Sequence, residues 1–256
     1  NIRNMIGCIV QARMNSSRYP EKVMLKIKNK PILDFVINQL NFSKKINKLI
    51  IATTTKKLDN AIVNYASKND INFFRGSEND VLDRYYQCAK DFKLTTIVRI
   101  TSDNPLVDPK IIDMAIQKFT ENNYDYISTE HPPTFPQGYA VEVFSFKALE
   151  NAWKNAKKLS EREHVTPYIY TNEKKFKLYN ITNKKNLSHI RCTLDRANDF
   201  LFLKEIILSI DKQPILLDDV LNIINKSPGL LDINKNYIQN EGYLKSLNED
   251  KKSFNK

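Results

Sequence analysis

The chain has 256 residues, 41% of them hydrophobic and 27% charged, with a formal charge of +11. That is one large domain or two small ones, able to bury a proper core without disulfides or metals. No apolar run approaches the length needed to cross a bilayer, and the first residues do not read as a signal peptide, so a soluble protein with no membrane partner is expected.

The three cysteines, Cys8, Cys88 and Cys192, are widely scattered. They form neither a zinc spacing nor a disulfide framework, and they fit a reducing, cytoplasmic setting. The positive charge has two readings, a nucleic-acid partner or a Lys- and Asn-rich composition spread over the whole chain. Lysines occur in nearly every segment, without a basic stripe interleaved with aromatics, and no nucleic-acid partner is expected.

Taken in order, Met5 to Val10 is an apolar run that reads as a buried strand. It ends in Gln11-Ala12-Arg13-Met14-Asn15-Ser16-Ser17-Arg18-Tyr19-Pro20-Glu21-Lys22. A strand that stops in a small-polar loop with three cations, Arg13, Arg18 and Lys22, suits phosphate at a sheet edge. It is equally readable as a solvated loop. Residues 31–42 have helical apolar spacing with proline in the first turn. Residues 48–53 read as a strand, 59–67 as a helix and 71–74 as a strand. After Arg75 and Gly76, Ser77 or Asn79 is placed to cap a helix over 81–91.

The β-branched run 95–100 is a fourth strand, entering Thr101-Ser102-Asp103-Asn104-Pro105. A helix over 109–119 and a strand over 124–128 follow. The alternation predicts an α/β protein with a parallel sheet. Neither a Gly-rich dinucleotide fingerprint nor a Walker loop is present.

After residue 128 the pattern changes. Prolines stiffen residues 131–136, and 141–146 alternates as a strand. A helix over 147–157 carries Trp153, and Ser160-Glu161-Arg162-Glu163 has the form of a capping box opening a helix to Tyr170. Strands are predicted over 176–181 and 188–194, and helices over 198–210 and 217–225. A polar tail with Tyr237 and Tyr243 follows, fraying from Asn248.

Asp103 stands just past a strand end, where ligands bind in open α/β sheets. Asp195 repeats that placement. Two such carboxylates are the minimum set for a Mg²⁺ held mainly by substrate phosphates; each also reads as a turn or cap aspartate. His131, His164 and His189 share no metal spacing and have no nucleophile placed with them. Arg162, Glu163, His164 and Tyr168 form either a grip for an anionic substrate or a surface helix.

The loop from Gln11 to Lys22 resembles the signature loop of the spore-coat polysaccharide cytidylyltransferase-like proteins. These are relatives of the synthetases that make CMP-3-deoxy-manno-octulosonate and CMP-sialic acid. The resemblance continues through residues 74–85, 98–109, 141–146, 160–168 and 193–195, covering roughly residues 5–208. It implies a glycosyltransferase-A-like nucleotidyltransferase fold, a mixed, mostly parallel sheet of about seven strands flanked by helices. It implies attack of a sugar-acid hydroxyl on the α-phosphate of CTP, for surface polysaccharide or glycan biosynthesis, and a homodimer.

Carried onto this chain, the resemblance makes Arg13, Lys22 and Asp103 the catalytic set and Asp103 and Asp195 the Mg²⁺ ligands. It places Gln11, Ala12, Ser16, Arg18, Arg75 and Asp80 with them around the nucleotide. Glu142, Arg162, His164 and Arg191 would receive the acid sugar. Residues 1–210 are then the catalytic domain, with a nucleotide half (1–128) and an acceptor half (129–210), and 211–256 an extension. Asn15, Glu21 and Ser102 stand where the family usually has glycine. Two other readings remain, a sugar transferase of the same sheet architecture and a non-catalytic basic binding protein.

Overall fold

The computed structural model describes residues 4–254. The first apolar run is β1 (Ile6–Gln11), buried almost to its end. A small hairpin, β2 (Lys26–Ile27) and β3 (Lys30–Pro31), leads into α1 (Ile32–Asn41). Then come β4 (Lys48–Thr54), α2 (Asn60–Lys68), β5 (Asn72–Gly76), α3 (Val81–Asp91), β6 (Thr96–Thr101) and α4 (Pro109–Thr120). The second half holds β7 (Tyr126–Ser128), β8 (Glu142–Ser145) and α5 (Phe146–Asn155). It continues with α6 (Leu159–His164), α7 (Pro167–Tyr170), β9 (Leu178–Asn180), α8 (Ala197–Leu208), α9 (Leu217–Lys226) and α10 (Glu241–Phe254).

Seven strands form one sheet in the order β5-β4-β1-β6-β8-β7-β9. β5, β4, β1 and β6 are mutually parallel, β8 is antiparallel to both its neighbours, and β9 is parallel to β7. This is the mixed, mostly parallel sheet expected from the sequence. β1 lies between β4 and β6, so the chain leaves it first to one side and later to the other. The carboxyl ends of β1 and β6 therefore flank the crevice that open α/β sheets use for ligands.

Strand side chains alternate between two apolar layers, as a period of two requires. Cys8 and Val10 of β1, Val98 and Ile100 of β6 and Val143 of β8 face the layer covered by α1, α4, α8 and α9. Ile9, Ile97 and Phe144 face the layer covered by α3, α5 and α7. The C-terminal segment is packed into the first layer through Ile215, Leu217, Val220 and Ile224. Gln39, buried on α1, bonds both backbone groups of Ile215, and Asp108 accepts from the Leu217 amide at 2.8 Å.

Four local expectations are corrected. Residues 188–194 form no strand: Ile190, Cys192 and Leu194 alternate into the core, but the segment meets its neighbour only at Gln137. Gln137 accepts from Cys192 (2.8 Å) and donates to Ile190 (2.9 Å). The approach depends on Gly138, at φ +100°, where a Cβ would lie 2.6 Å from the Cys192 carbonyl oxygen.

The single helix expected from Ser160 to Tyr170 is two helices, because Val165 (φ 73°, ψ −56°) is the centre of a γ-turn. Glu161 caps α6 by accepting from the Lys157 and Lys158 amides, while Ser160 bonds Asp250. Asp80, rather than Ser77 or Asn79, caps α3 through the Asp83 amide. The tail expected to fray from Asn248 is the second half of α10, helical through Phe254.

Candidate functional site

The loop after β1 is shaped by its own backbone. Met14 O accepts from Ser16 at 3.0 Å and from Glu21 at 2.8 Å, and the Met14 amide donates to buried Asp59 at 2.7 Å. Glu21 closes the loop in the left-handed region (φ 58°, ψ 12°), which explains why glycine suits this position. Its side chain is exposed, away from the cavity. Asn15 is not left-handed; its amide donates to Glu78 at 3.3 Å. Ser102 ties the ends of β1 and β6 together, its amide donating to Gln11 O at 3.1 Å.

A 3-10 turn, Lys22–Met24, buries Val23 and returns Lys22 to the sheet edge. The Lys22 ammonium donates to Asp103 Oδ2 at 2.8 Å, Asp195 Oδ1 at 2.7 Å and Leu194 O at 2.6 Å. An ammonium has three donors, and all three are engaged. The Leu194 amide donates to Asp103 O at 2.8 Å, which holds the two aspartates side by side. Burial alone would depress the Lys22 pKa, but Asp103 and Asp195 outweigh it and raise it.

Asp195 is the most cation-crowded group here. Arg18 reaches it at 3.0 Å and Arg191 at 3.5 Å, beside Lys22. Burial works to raise its pKa, but Lys22 and then Arg18 hold it well below the ordinary carboxylate range. Asp199, fully buried at the start of α8, fixes this corner. It pairs with Arg191 at 2.8 Å and accepts from the Asp195 and Arg196 amides at 3.0 Å each.

These groups form one wall of a cavity of about 420 Å³. Gln11, Ala12, Arg13 and Ser16 also line it. Among the described residues, no side-chain hydrogen bond or ion pair engages Arg13, so its guanidinium is an uncommitted cation beside this lattice. A second wall holds His164 with Tyr243, Lys245 and Ser246 of α10, and Arg99 of β6 and Glu130 also line the cavity. Burial pushes Glu130 up to about 7, reinforced by Glu142 and opposed by Arg99. Burial drives His164 down to about 4, so its imidazole is neutral near pH 7.

Four sequence-predicted site residues are absent from the cavity lining. Arg75 donates to Thr54 O (2.9 Å), Asn60 (2.8 Å) and Lys56 O (2.8 Å), stitching β5 to β4 and α2. Asp80 and Arg162 pair with each other, and Arg162 also donates to Trp153 O at 2.7 Å. Glu142 is buried, accepting from Arg99, Tyr126 (2.6 Å) and Thr166 (2.5 Å). It bears on the cavity through its ion pair with Arg99 and its charge beside Glu130. Gln11, Ala12, Arg13, Ser16, Arg18, Lys22, Asp103, His164, Arg191 and Asp195 do lie on the cavity.

Sequence reasoning missed Arg84, Arg99, Glu130, Asp199 and α10. Arg84 is 2% exposed and holds the 77–78 turn through Ser77 O and Glu78 O. An arginine on the apolar face of a predicted helix was the available signal for it. Asp199 had one too, as an acid in the first turn of a helix.

The donor set bears on a metal. Among the described residues no cluster of three or more His, Cys, Asp or Glu could hold one alone. Asp103 and Asp195 nonetheless converge, and the side-chain carbonyls of Gln11 and Asn104 are buried without partners beside the cavity. An all-oxygen set with two carboxylates fits a hard ion such as Mg²⁺ whose other ligands come from phosphate and water.

Comparison with known proteins places these features. A family model described as Cytidylyltransferase matches residues 7–240. A cytidylyltransferase structure from Leptospira borgpetersenii is 33% identical, covers 91% of this chain and 98% of its own, and superposes with a TM-score of 0.86. An uncharacterized protein of Methanocaldococcus jannaschii is 46% identical over 200 residues, 77% of this chain and 81% of that one. The spore coat polysaccharide biosynthesis protein SpsF of Bacillus subtilis is 29% identical over 223 residues, 82% of this chain and 90% of that one. A CMP:2-keto-3-deoxy-manno-octonic acid synthetase structure shares the fold at 12% identity, TM-score 0.61, over 80% of this chain and 99% of that one.

Proposed function

The chain belongs to the cytidylyltransferase family, and on that premise we propose that its cavity transfers CMP from CTP to a hydroxyl of an acid sugar, releasing pyrophosphate, with Mg²⁺ as cofactor. The observation that carries this reading is the buried Lys22 bridge between Asp103 and Asp195, with Arg13 and Arg18 beside it at the carboxyl ends of β1 and β6. The SpsF relative and the 3-deoxy-manno-octulosonate cytidylyltransferases that match 44–66% of the chain support an acid sugar destined for surface polysaccharide.

The acceptor hydroxyl oxygen bonds to the α-phosphorus as the bond to the bridging oxygen of the β-phosphate breaks; the electron pair leaves with pyrophosphate and the hydroxyl proton passes to water. The protein's share of such chemistry is positioning and charge neutralisation. Arg13, uncommitted and facing the cavity, takes the β- and γ-phosphate oxygens. Lys22 and Arg18 balance the charge that grows on the departing pyrophosphate. Asp103 and Asp195 would hold Mg²⁺, which when bound would supply Lewis-acid neutralisation of phosphate charge. Gln11 offers a buried, unpaired carbonyl to the nucleotide. His164 faces the acceptor, and Arg191 reaches the same space from the phosphate-side wall, where it pairs with Asp195 and Asp199.

Pyrophosphate release tests the reading. Wild-type protein with CTP, Mg²⁺ and a panel of 2-keto acid sugars releases pyrophosphate with at least one member, and the Asp103→Ala protein does not. Near-normal release by Asp103→Ala would falsify the assignment of this carboxylate, and release with no sugar of the panel would remove the acid-sugar reading.

A further inference from the structure

The family match ends at residue 240, and α10 begins at Glu241. This helix is therefore the part of the cavity wall that the family pattern does not describe. Its docking is polar. Ser246 is 2% exposed, donates to Glu163 at 2.6 Å and lies 3.0 Å from His164 Nε2. Asp250, one turn on, accepts from the Ser160 amide at 3.2 Å and from its hydroxyl. At the other end Glu241 receives two hydrogen bonds from Arg196, at 2.8 and 3.0 Å.

Gly242, Ser246 and Asp250 stand four apart, so one small and polar helix stripe faces α6. A Cβ at Gly242 would lie 3.3 Å from an Arg18 guanidinium nitrogen. The two walls meet there, between the phosphate-facing cations and the second half of the chain. With the stripe docked, two α10 side chains border the cavity, Lys245 with no acid paired to it among the described residues and Tyr243 with its hydroxyl beside that of Tyr170. Tyr243 stands edge-on to His164, ring centroids 5.2 Å apart. Lys245 is exposed, lines the cavity and pairs with no acid among the described residues.

We propose that α10 is the acceptor-selecting wall of the site, with Lys245 pairing to the carboxylate of the acid sugar and Tyr243 packing against its ring. The inference rests on the transfer reading above and goes beyond it in naming the element that recognises the acceptor. The chemistry is economical. The triphosphate side is already dense in cations, with Lys22, Arg18 and Arg191 in ion pairs. A second anion on the other substrate needs its own positive partner on the opposite wall, and Lys245 is the ammonium placed there. An aromatic ring over a pyranose face adds apolar contact without demanding one hydroxyl pattern.

The test uses the full-length protein with CTP, Mg²⁺ and three acid sugars: 3-deoxy-manno-octulosonate, N-acetylneuraminate and pseudaminate. The best acceptor is chosen by pyrophosphate release. Lys245→Glu is expected to raise the KM for that sugar at least tenfold while the KM for CTP stays within twofold, and Lys245→Arg to restore it. Tyr243→Ala raises the same KM and alters the preference among the three. Thermal midpoints within 2 °C of wild type (roughly the shift of a 0.5 kcal/mol change) exclude a folding effect for exposed Lys245. An unchanged sugar KM in Lys245→Glu overturns the proposal. So does a rise in the CTP KM instead, which assigns Lys245 to the triphosphate. No release from wild type with any sugar overturns the transfer reading itself, and the proposal with it.

Discussion

The two walls of the cavity are built differently. On the β1 and β6 side, Lys22, Arg18, Arg191, Asp103, Asp195 and Asp199 form one continuous ionic lattice, tied into backbone amides and largely shielded from water. On the α10 side, a serine and an aspartate hold a helix by hydrogen bonds, and the cavity-facing Tyr243 and Lys245 stay outside that network. The first wall fixes charges where a reaction that makes and breaks phosphate bonds needs them. The second is adjustable, because a change at an exposed side chain leaves its docking untouched. On the proposal above, transfer chemistry and acceptor selection would lie on separate walls.

The sharpest way to break that contrast is to cut the lattice. In Lys22→Met the ammonium disappears and two adjacent half-buried carboxylates face each other. Stability should fall by about 3 kcal/mol in a denaturant titration, and pyrophosphate release by a factor on the order of 10³. A variant that keeps wild-type stability would mean the lattice is no more than a surface ion pair. A smaller effect is expected at Arg162→Leu, which unpairs Asp80 outside the cavity. It should lower stability by about 1–2 kcal/mol and leave the KM values for both substrates within twofold. A tenfold rise in the CTP KM would return Arg162 to the binding set.

Glu130 gives a pH-dependent test. Its folded-state pKa is raised to about 7 from an ordinary 4.5. A raised carboxyl contributes stability that is complete below the unfolded value and is lost as pH rises through the folded one. Wild-type protein should therefore lose about 2 kcal/mol between pH 4.5 and pH 7.5 through this group, and Glu130→Gln should not. Parallel stability curves for the two proteins across that window would refute the shift. The smallest change belongs to the clamp between Arg196 and Glu241, both solvent-exposed. Arg196→Gln should leave the melting temperature unmoved and raise the acid-sugar KM about threefold, through looser seating of α10.

Much of the first wall was legible because each piece is local. An apolar run ending in a cationic loop marked β1, and aspartates just past apolar runs marked Asp103 and Asp195. Pairings across the chain were not legible. Asp80 meets Arg162 across 82 positions, and Glu142 meets Arg99 across 43. Motif position alone made them ligand contacts, whereas the fold uses them as internal ion pairs. Residues 188–194 looked like a strand because alternation reports burial on one side and not the presence of a ladder partner. α10 left little trace, since its docking stripe is Gly, Ser and Asp, and helix periodicity is read from apolar residues.

Lys22 has one further consequence. With all three donors engaged, it serves as a resident counterion, and the aspartates never face one another bare. A divalent ion arriving alone would have to evict an ammonium already bonded to both of them. An ion delivered on a nucleotide brings new anionic partners for the displaced lysine in the same step. The free protein is thus self-neutralised at this pair of carboxylates, and on the Mg²⁺ reading proposed above, metal and triphosphate would load together, by exchange of one salt for another.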